Sequence, residues 1–255
     1  MTTGQDDALA TPAPAPDLGP KPNPVQRVIG VLFAPDATMA SVAKRPDWVL
    51  PLVLILISSF LVGIVIAQHV DFGAAVRDQV EQNKNLSQEQ IDKAVKMGVI
   101  FGKVATYLAP VFGIIWLLVI AGVLLLAVRL FGGEGDYKQA FSVTCYASIP
   151  GIIKAVVLLI IVLARGGLIP AQALATAVRS NLGFLADFKA NPMAFALLSS
   201  VDLFAIWFVV LLIIGFAYVS RLSKAKTAVI VVSLWIVATC FKLIGPALQS
   251  IRAGK

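Results

Sequence analysis

Apolar residues fall along this chain in five long blocks separated by short polar stretches. They lie at about 48–68, 104–130, 142–164, 195–219 and 227–248. Each has roughly the twenty-residue length that a helix needs to cross a hydrocarbon layer of about 30 Å. Barrel strands would alternate apolar and polar positions over about ten residues, whereas these runs are continuous. A span in lipid must also satisfy its own backbone hydrogen bonds. The pattern therefore predicts an all-α polytopic membrane bundle with five transmembrane helices and short amphipathic interfacial helices.

Between the blocks the polar segments carry their own signals. Residues 1–24 hold Pro12, Pro14, Pro16, Pro20, Pro22 and Pro24 and read as a disordered tail of polyproline character. From residue 25 on, the five-span domain runs to 255, opening on a stretch that lies on the membrane. There Val28, Ile29, Leu32 and Phe33 recur at helical spacing, Pro35-Asp36 interrupts them, and Lys44-Arg45 with Trp48 forms an interfacial anchor. Ser87-x-x-Gln90 has the form of a capping box, so the helix of the second span should start at Ser87. Pro150-Gly151 should kink the third span. Leu174, Ala177, Val178 and Leu182 suit an interfacial helix over 170–190.

Composition sharpens this picture. Apolar residues make up 58% of the chain and charged ones 14%, against about 25% charged in an ordinary soluble domain. The net charge of +7 does not indicate nucleic acid, because the cations flank apolar blocks and form no aromatic-interleaved patch. Cys145 and Cys240 lie inside apolar stretches without a partner at metal-ligand spacing. The turn Phe131-Gly-Gly-Glu-Gly-Asp-Tyr-Lys lacks the Gly-x-x-x-x-Gly-Lys-Ser/Thr pattern of a phosphate loop. No Ser/His, His-Glu-x-x-His or paired-Asp arrangement is present, and His69 is the single histidine. The expectation is a protein that is not an enzyme and has no catalytic residues, cofactor or metal.

Candidate chemistry narrows to the ionisable residues inside apolar blocks, Lys154, Asp202 and Lys242. Each costs about 2.5–3.5 kcal/mol at a helix centre unless paired. Folding spans four and five about residue 223 sets Asp202 one turn from Lys242, with Lys154 somewhat deeper and able to compete. Two readings stay open: an interhelical ion pair that sets register, or a proton or substrate relay on Asp202. Along span two, Gly98, Gly102, Ala105, Ala109 and Gly113 form a stripe of small residues, a pattern that lets helices approach closely in lipid.

Basic residues divide almost evenly between the two sides of the spans. Lys44-Arg45 before span one and the Arg221, Lys224, Lys226 turn favour an N-terminus inside. Leu32-Phe-Ala-Pro35 and Arg45-Pro-Asp-Trp48 precede span one, and the loop with Gly132, Gly133 and Gly135 runs on to Tyr146 and Pro150. Asn181-Leu-Gly-Phe-Leu185 and Asp202-Leu-Phe-Ala-Ile-Trp207 follow them. In this order the segments resemble the Yip family, five-span membrane proteins that interact with Ypt/Rab GTPases. The resemblance implies a cytoplasmic N-terminus and a non-enzymatic adaptor or scaffold that binds other membrane components. The Asp-Leu-Tyr-Gly-Pro motif of the eukaryotic branch is missing, which argues against a prenylated small GTPase as partner. It points instead to a prokaryotic-type member in the cytoplasmic (inner) membrane. Partners expected are the lipid bilayer and another membrane protein or a second copy. The alternative is a small transporter or lipid-handling protein using Asp202.

Overall fold

The computed structural model describes residues 23–80, 86–187 and 190–252. All but two residues of the proline-rich tail lie outside them. Those two start the first helix: the Asn23 side chain accepts from the Val25 N–H at 2.9 Å, and Pro24 opens α1 (Pro24–Phe33). Proline suits a first turn, where its missing N–H has no partner to lose. Ala34 breaks the chain before Pro35, which opens α2 (Pro35–Lys44).

The face that α1 buries carries its charged residue. Arg27 and Val31 are buried, while Val25, Ile29 and Phe33 point outward and Phe33 is 84% exposed. The guanidinium decides this. Arg27 donates to the Arg45 carbonyl at 2.8 Å and to the Ser41 hydroxyl at 3.1 Å. Those acceptors sit at the end of α2, so α1 turns its charged position inward and leaves an apolar stripe outside. Such an outward stripe suits a helix lying in a membrane interface.

Among the described residues, five helical segments are long and apolar enough to cross a membrane: Val49–His69, Gln88–Leu130, Tyr137–Arg165, Leu203–Ser220 and Lys224–Leu248. The first is α3 (Val49–His69), continued by β1 (Val70–Asp71) and α4 (Phe72–Val80). Next comes α5 (Gln88–Leu130), with Ser87 as N-cap and both hydrogen bonds of the capping box to Gln90 present. Its 43 residues span about 64 Å at 1.5 Å per residue, twice the ~30 Å hydrocarbon layer. The first turns of α5 are packed by α4, beyond the level where α3 ends. Pro110 lies inside α5 and cannot donate to the carbonyl of Thr106, four residues back. Gly63 of α3 faces that freed carbonyl so closely that a Cβ would sit 2.9 Å from it.

The third span is two helices, α6 (Tyr137–Ala147) and α7 (Ile149–Arg165), divided at Ser148 rather than at Pro150-Gly151. Pro150 falls in the first turn of α7, where it costs little. Beyond α7, β2 (Ile169–Pro170) pairs in parallel with β1, Val70 opposite Ile169. The interfacial helix expected over 170–190 is replaced by two short 3-10 turns, Ala171–Thr176 and Leu182–Leu185. Asn181 starts the second turn by accepting from the Gly183 N–H at 2.9 Å, a local bond that competes with continuous helix.

The fourth apolar block also divides. α8 (Pro192–Ser200) ends before Val201, and α9 (Leu203–Ser220) starts after Asp202. The span is therefore 203–220 and not 195–219. α10 (Lys224–Arg252) follows.

The densest packing lies toward the end that carries α1 and α2. Residues 140–147 of α6 are buried on every side, among Met39 and Val42 of α2, Leu124 and Val128 of α5, and Leu211 and Phe216 of α9. Gly215 makes this possible, since a Cβ there would meet Val143 at 2.3 Å. Elsewhere the spans present large apolar side chains outward, among them Phe60, Phe112, Trp116 and Ile160, as lipid-facing helices must.

Candidate functional site

Asp202 is the point where Lys154 of α7 and the start of α9 meet. As N-cap of α9 its Oδ1 accepts from the N–H of Phe204 at 2.9 Å and of Ala205 at 3.1 Å. Its Oδ2 accepts from Lys154 Nζ at 2.8 Å and from the Ser180 hydroxyl at 2.5 Å. An ionised carboxylate has about four acceptor sites, so this one is filled. Backbone bonds from Leu182 N–H to the Val201 carbonyl and from Leu203 N–H to the Ser180 carbonyl hold the same crossing together. The Asp202 side chain is 7% exposed and that of Lys154 38%.

The expected partner of Asp202, Lys242, is not the one that closes the bond. Lys154 of α7 takes that place, because Asp202 stands in the break before α9 and turns toward Ser180 and α7. Lys242 lies on α10 and lines the same cavity. This cavity, about 570 Å³, is walled by α7, α8, α9 and α10, with Phe204, Phe208 and Trp235 beside Lys154, Asp202 and Lys242. Its size falls within the range of about 300–1,000 Å³ typical of small-molecule sites. Ser199 also lines it, and its buried hydroxyl, which has no hydrogen-bond partner among the described residues, packs against Gly183.

The small-residue stripe on α5 is split between two fates. A Cβ at Gly98 would lie 2.3 Å from Val76, and one at Gly102 2.5 Å from the Phe72 ring; both glycines are occupied by α4. Ala105 and Ala109 are exposed, and a Cβ at Gly113 would meet nothing within 4 Å.

At the other end of the bundle the glycine loop is locked to the turn between α9 and α10. Gly135 has a φ of +109°, and a Cβ there would meet Val219 at 2.5 Å, so only glycine fits without strain. A Cβ at Gly133 would lie 2.8 Å from the Val128 carbonyl, whereas Gly132, with φ +83°, has open space. Glu134 N–H donates to the Ser220 carbonyl at 3.0 Å, and Glu134 pairs with Arg221 at 3.0 Å. Asp136 caps α6 in a full capping box with Gln139, whose side chain also donates to the Ala43 carbonyl at 2.8 Å. Tyr146 and Pro150 follow, both buried, Tyr146 at the centre of the core. Trp48 packs against Phe141 with ring centroids 5.7 Å apart. Asp36 of α2 accepts from the Tyr218 hydroxyl at 2.7 Å and from Lys224.

Of the residues that carried the resemblance, those of 32–48 and 131–150 come together at the capped end and those of 181–185 and 202–207 at the crossing opposite it, and a family model described as the Yip1 domain matches residues 29–244. The chain belongs to the Yip family. Comparison with curated proteins and with solved structures gives no match. In this Yip domain the glycine loop, the α2 helix and the 221–224 turn form a single polar cap. Arg27 belongs to the same end and was not singled out from sequence. Its signal is its position four residues before Val31, one helical turn along the buried face.

Two predictions follow from these geometries. Asp202→Asn keeps a capping oxygen but loses the ion pair, and Asp202→Ala loses both. Thermal unfolding in detergent should rank native above Asn above Ala, with the charge-assisted bonds worth about 1.5–3 kcal/mol before discounting for the half-open Lys154. Equal stability of the two variants would deny the cap. The second concerns pH. Hydrogen bonds from Lys224 and then Tyr218 hold the Asp36 carboxyl below its ordinary value of 3.8, against a small opposing effect of burial. A lowered folded pKa stabilises above the unfolded value and is lost as pH falls through the folded one. The Tm gap between native protein and Asp36→Asn should hold steady from neutral pH down to about 3.8, then close on further acidification. A gap unchanged in acid would contradict the pairing.

Proposed function

We propose that this Yip-family membrane protein is a non-enzymatic adaptor that holds another membrane-spanning helix along α5, with its N-terminus in the cytoplasm of a prokaryotic cell. The observation that carries this reading is the free half of the small-residue stripe. Ala105, Ala109 and Gly113 recur every four residues, so they share one helical face. Phe101, Leu108, Phe112 and Trp116 stand exposed around them. A groove of small residues with large apolar rims is the surface on which helix backbones approach closely in lipid, where packing rather than the hydrophobic effect drives association. The partner is a transmembrane helix of another protein or of a second copy.

The transport alternative required Asp202 to exchange a proton or substrate. That carboxylate is committed to four donors, which favours the adaptor reading.

Structure also selects the variant for the test. Gly102→Leu would collide with Phe72 and disturb the fold, whereas Ala109 faces outward. In-membrane crosslinking of the tagged chain at native abundance, followed by mass spectrometry, should capture a reproducible neighbour. Ala109→Leu should lower its yield about tenfold, the equivalent of 1–2 kcal/mol of helix packing. An undiminished yield would remove α5 as the interface. In the same cells, a tag at the N-terminus should resist protease added to spheroplasts; digestion would reverse the orientation.

A further inference from the structure

We propose that the cavity between α7, α8, α9 and α10 binds the phosphate of an anionic lipid headgroup, with Lys242 and Lys154 as its cationic ligands. The first argument is charge. Lys154, Lys242 and Asp202 line the cavity, so it carries one positive charge in excess. Asp202 cannot neutralise both lysines, because its oxygens already serve Lys154, Ser180 and two backbone N–H groups. Among the described residues the exposed Lys242 ammonium pairs with no carboxylate, and a cation at the membrane boundary attracts anionic headgroups.

The second argument is donor supply. Ser200 and Thr239 turn their hydroxyl protons back to carbonyls of their own helices, Ala196 and Trp235. The Ser199 hydroxyl packs against Gly183, away from the ligand space. Lys154 spends one of three N–H donors on Asp202. The cavity thus offers two ammonium groups, both donors, as an oxyanion requires.

The third argument is depth and shape. Asp202 lies 18 residues from Ser220, and Lys242 lies 18 residues from Lys224. At 1.5 Å per residue both stand about 27 Å from the end that carries the polar cap. In a hydrocarbon layer of about 30 Å this is the headgroup boundary of the opposite leaflet, where lipid phosphates reside. A cavity of about 570 Å³ far exceeds a bare oxyanion. Its wall of Phe204, Phe208 and Trp235 suits the glycerol and first acyl carbons of a lipid.

The test uses the full chain in nanodiscs of phosphatidylglycerol and phosphatidylcholine, transferred to neutral detergent, with retained lipid counted by native mass spectrometry. Native protein should keep phosphatidylglycerol in preference to phosphatidylcholine. Lys242→Gln leaves the Lys154–Asp202 pair in place and should retain about tenfold less, the loss expected for one charge-assisted contact. Lys242→Arg should restore retention. Ala109→Leu should not change it, so failure of the adaptor reading and of this one are separable. A second arm titrates inorganic phosphate into lipid-free protein by calorimetry. Phosphate binding that depends on Lys242, with no lipid retained, would keep the oxyanion site and overturn the lipid as its source. Equal lipid retention by native protein and Lys242→Gln, with no phosphate binding, would overturn the site.

Discussion

The crossing of the 180–182 segment with the start of α9 depends on one carboxylate in a chain break. In lipid, backbone that leaves the helix must find its partners inside the protein. The fourth apolar block nevertheless breaks at Val201–Asp202. Asp202 makes that break tolerable by capping two N–H groups of α9 with one oxygen and binding Ser180 and Lys154 with the other. The same four bonds fix the 180–182 segment, set the start of α9 and draw Lys154 across from α7. Without the cap, the break would rest on the two backbone bonds that join 180–182 to 201–203.

The two ends of the molecule solve opposite problems. Around α6 the chain is packed shut, with Tyr146, Phe216 and Met39 fully buried and Gly215 admitting Val143 against the α9 backbone. The polar cap above it is tied by bonds between segments far apart in sequence, such as Asp36 with Lys224 and Lys226 with the Phe131 carbonyl. Exposed pairs of this kind contribute little singly, but here they close a glycine loop whose backbone already touches Val219 and Val128. The opposite end keeps a cavity and an excess lysine. Rigidity is concentrated at one surface and unspent binding capacity at the other.

How much of this could be read from the chain follows the range of each interaction. The spans and the Ser87 capping box are local, so block length and a four-residue pattern were enough to find them. The resemblance to the Yip family was likewise carried by short segments in order, and the family match spans them. The pairing of Asp202 was a long-range matter. Placing it opposite Lys242 assumed a helix continuous from 195 to 219, and the break at 201–202 turns the side chain toward Ser180 instead. Burial of Arg27 escaped for the same reason, because its acceptors, Arg45 and Ser41, lie on another helix. On α5 the stripe was visible, but nothing in it told that α4 would fold back over Gly98 and Gly102 and leave only Ala105, Ala109 and Gly113 free.

Why the lysines rather than the aspartate should carry any ligand chemistry here is a question of what each group must give up. For Asp202 to take a proton, it would surrender the ion pair with Lys154 and weaken the cap on α9, so every cycle would loosen the crossing that builds the cavity. A charge that costs several kcal/mol to bury unpaired is a poor carrier when its release also unties two helices. Lys242 holds no such duty: it stands exposed on α10 at the cavity wall, and a ligand can come and go without disturbing the fold. Lys154 has donors left after its bond to Asp202 and adds to the same field. The carboxylate thus acts as the fixed frame, and the surplus cation is the part of the site that can respond to what enters from the membrane.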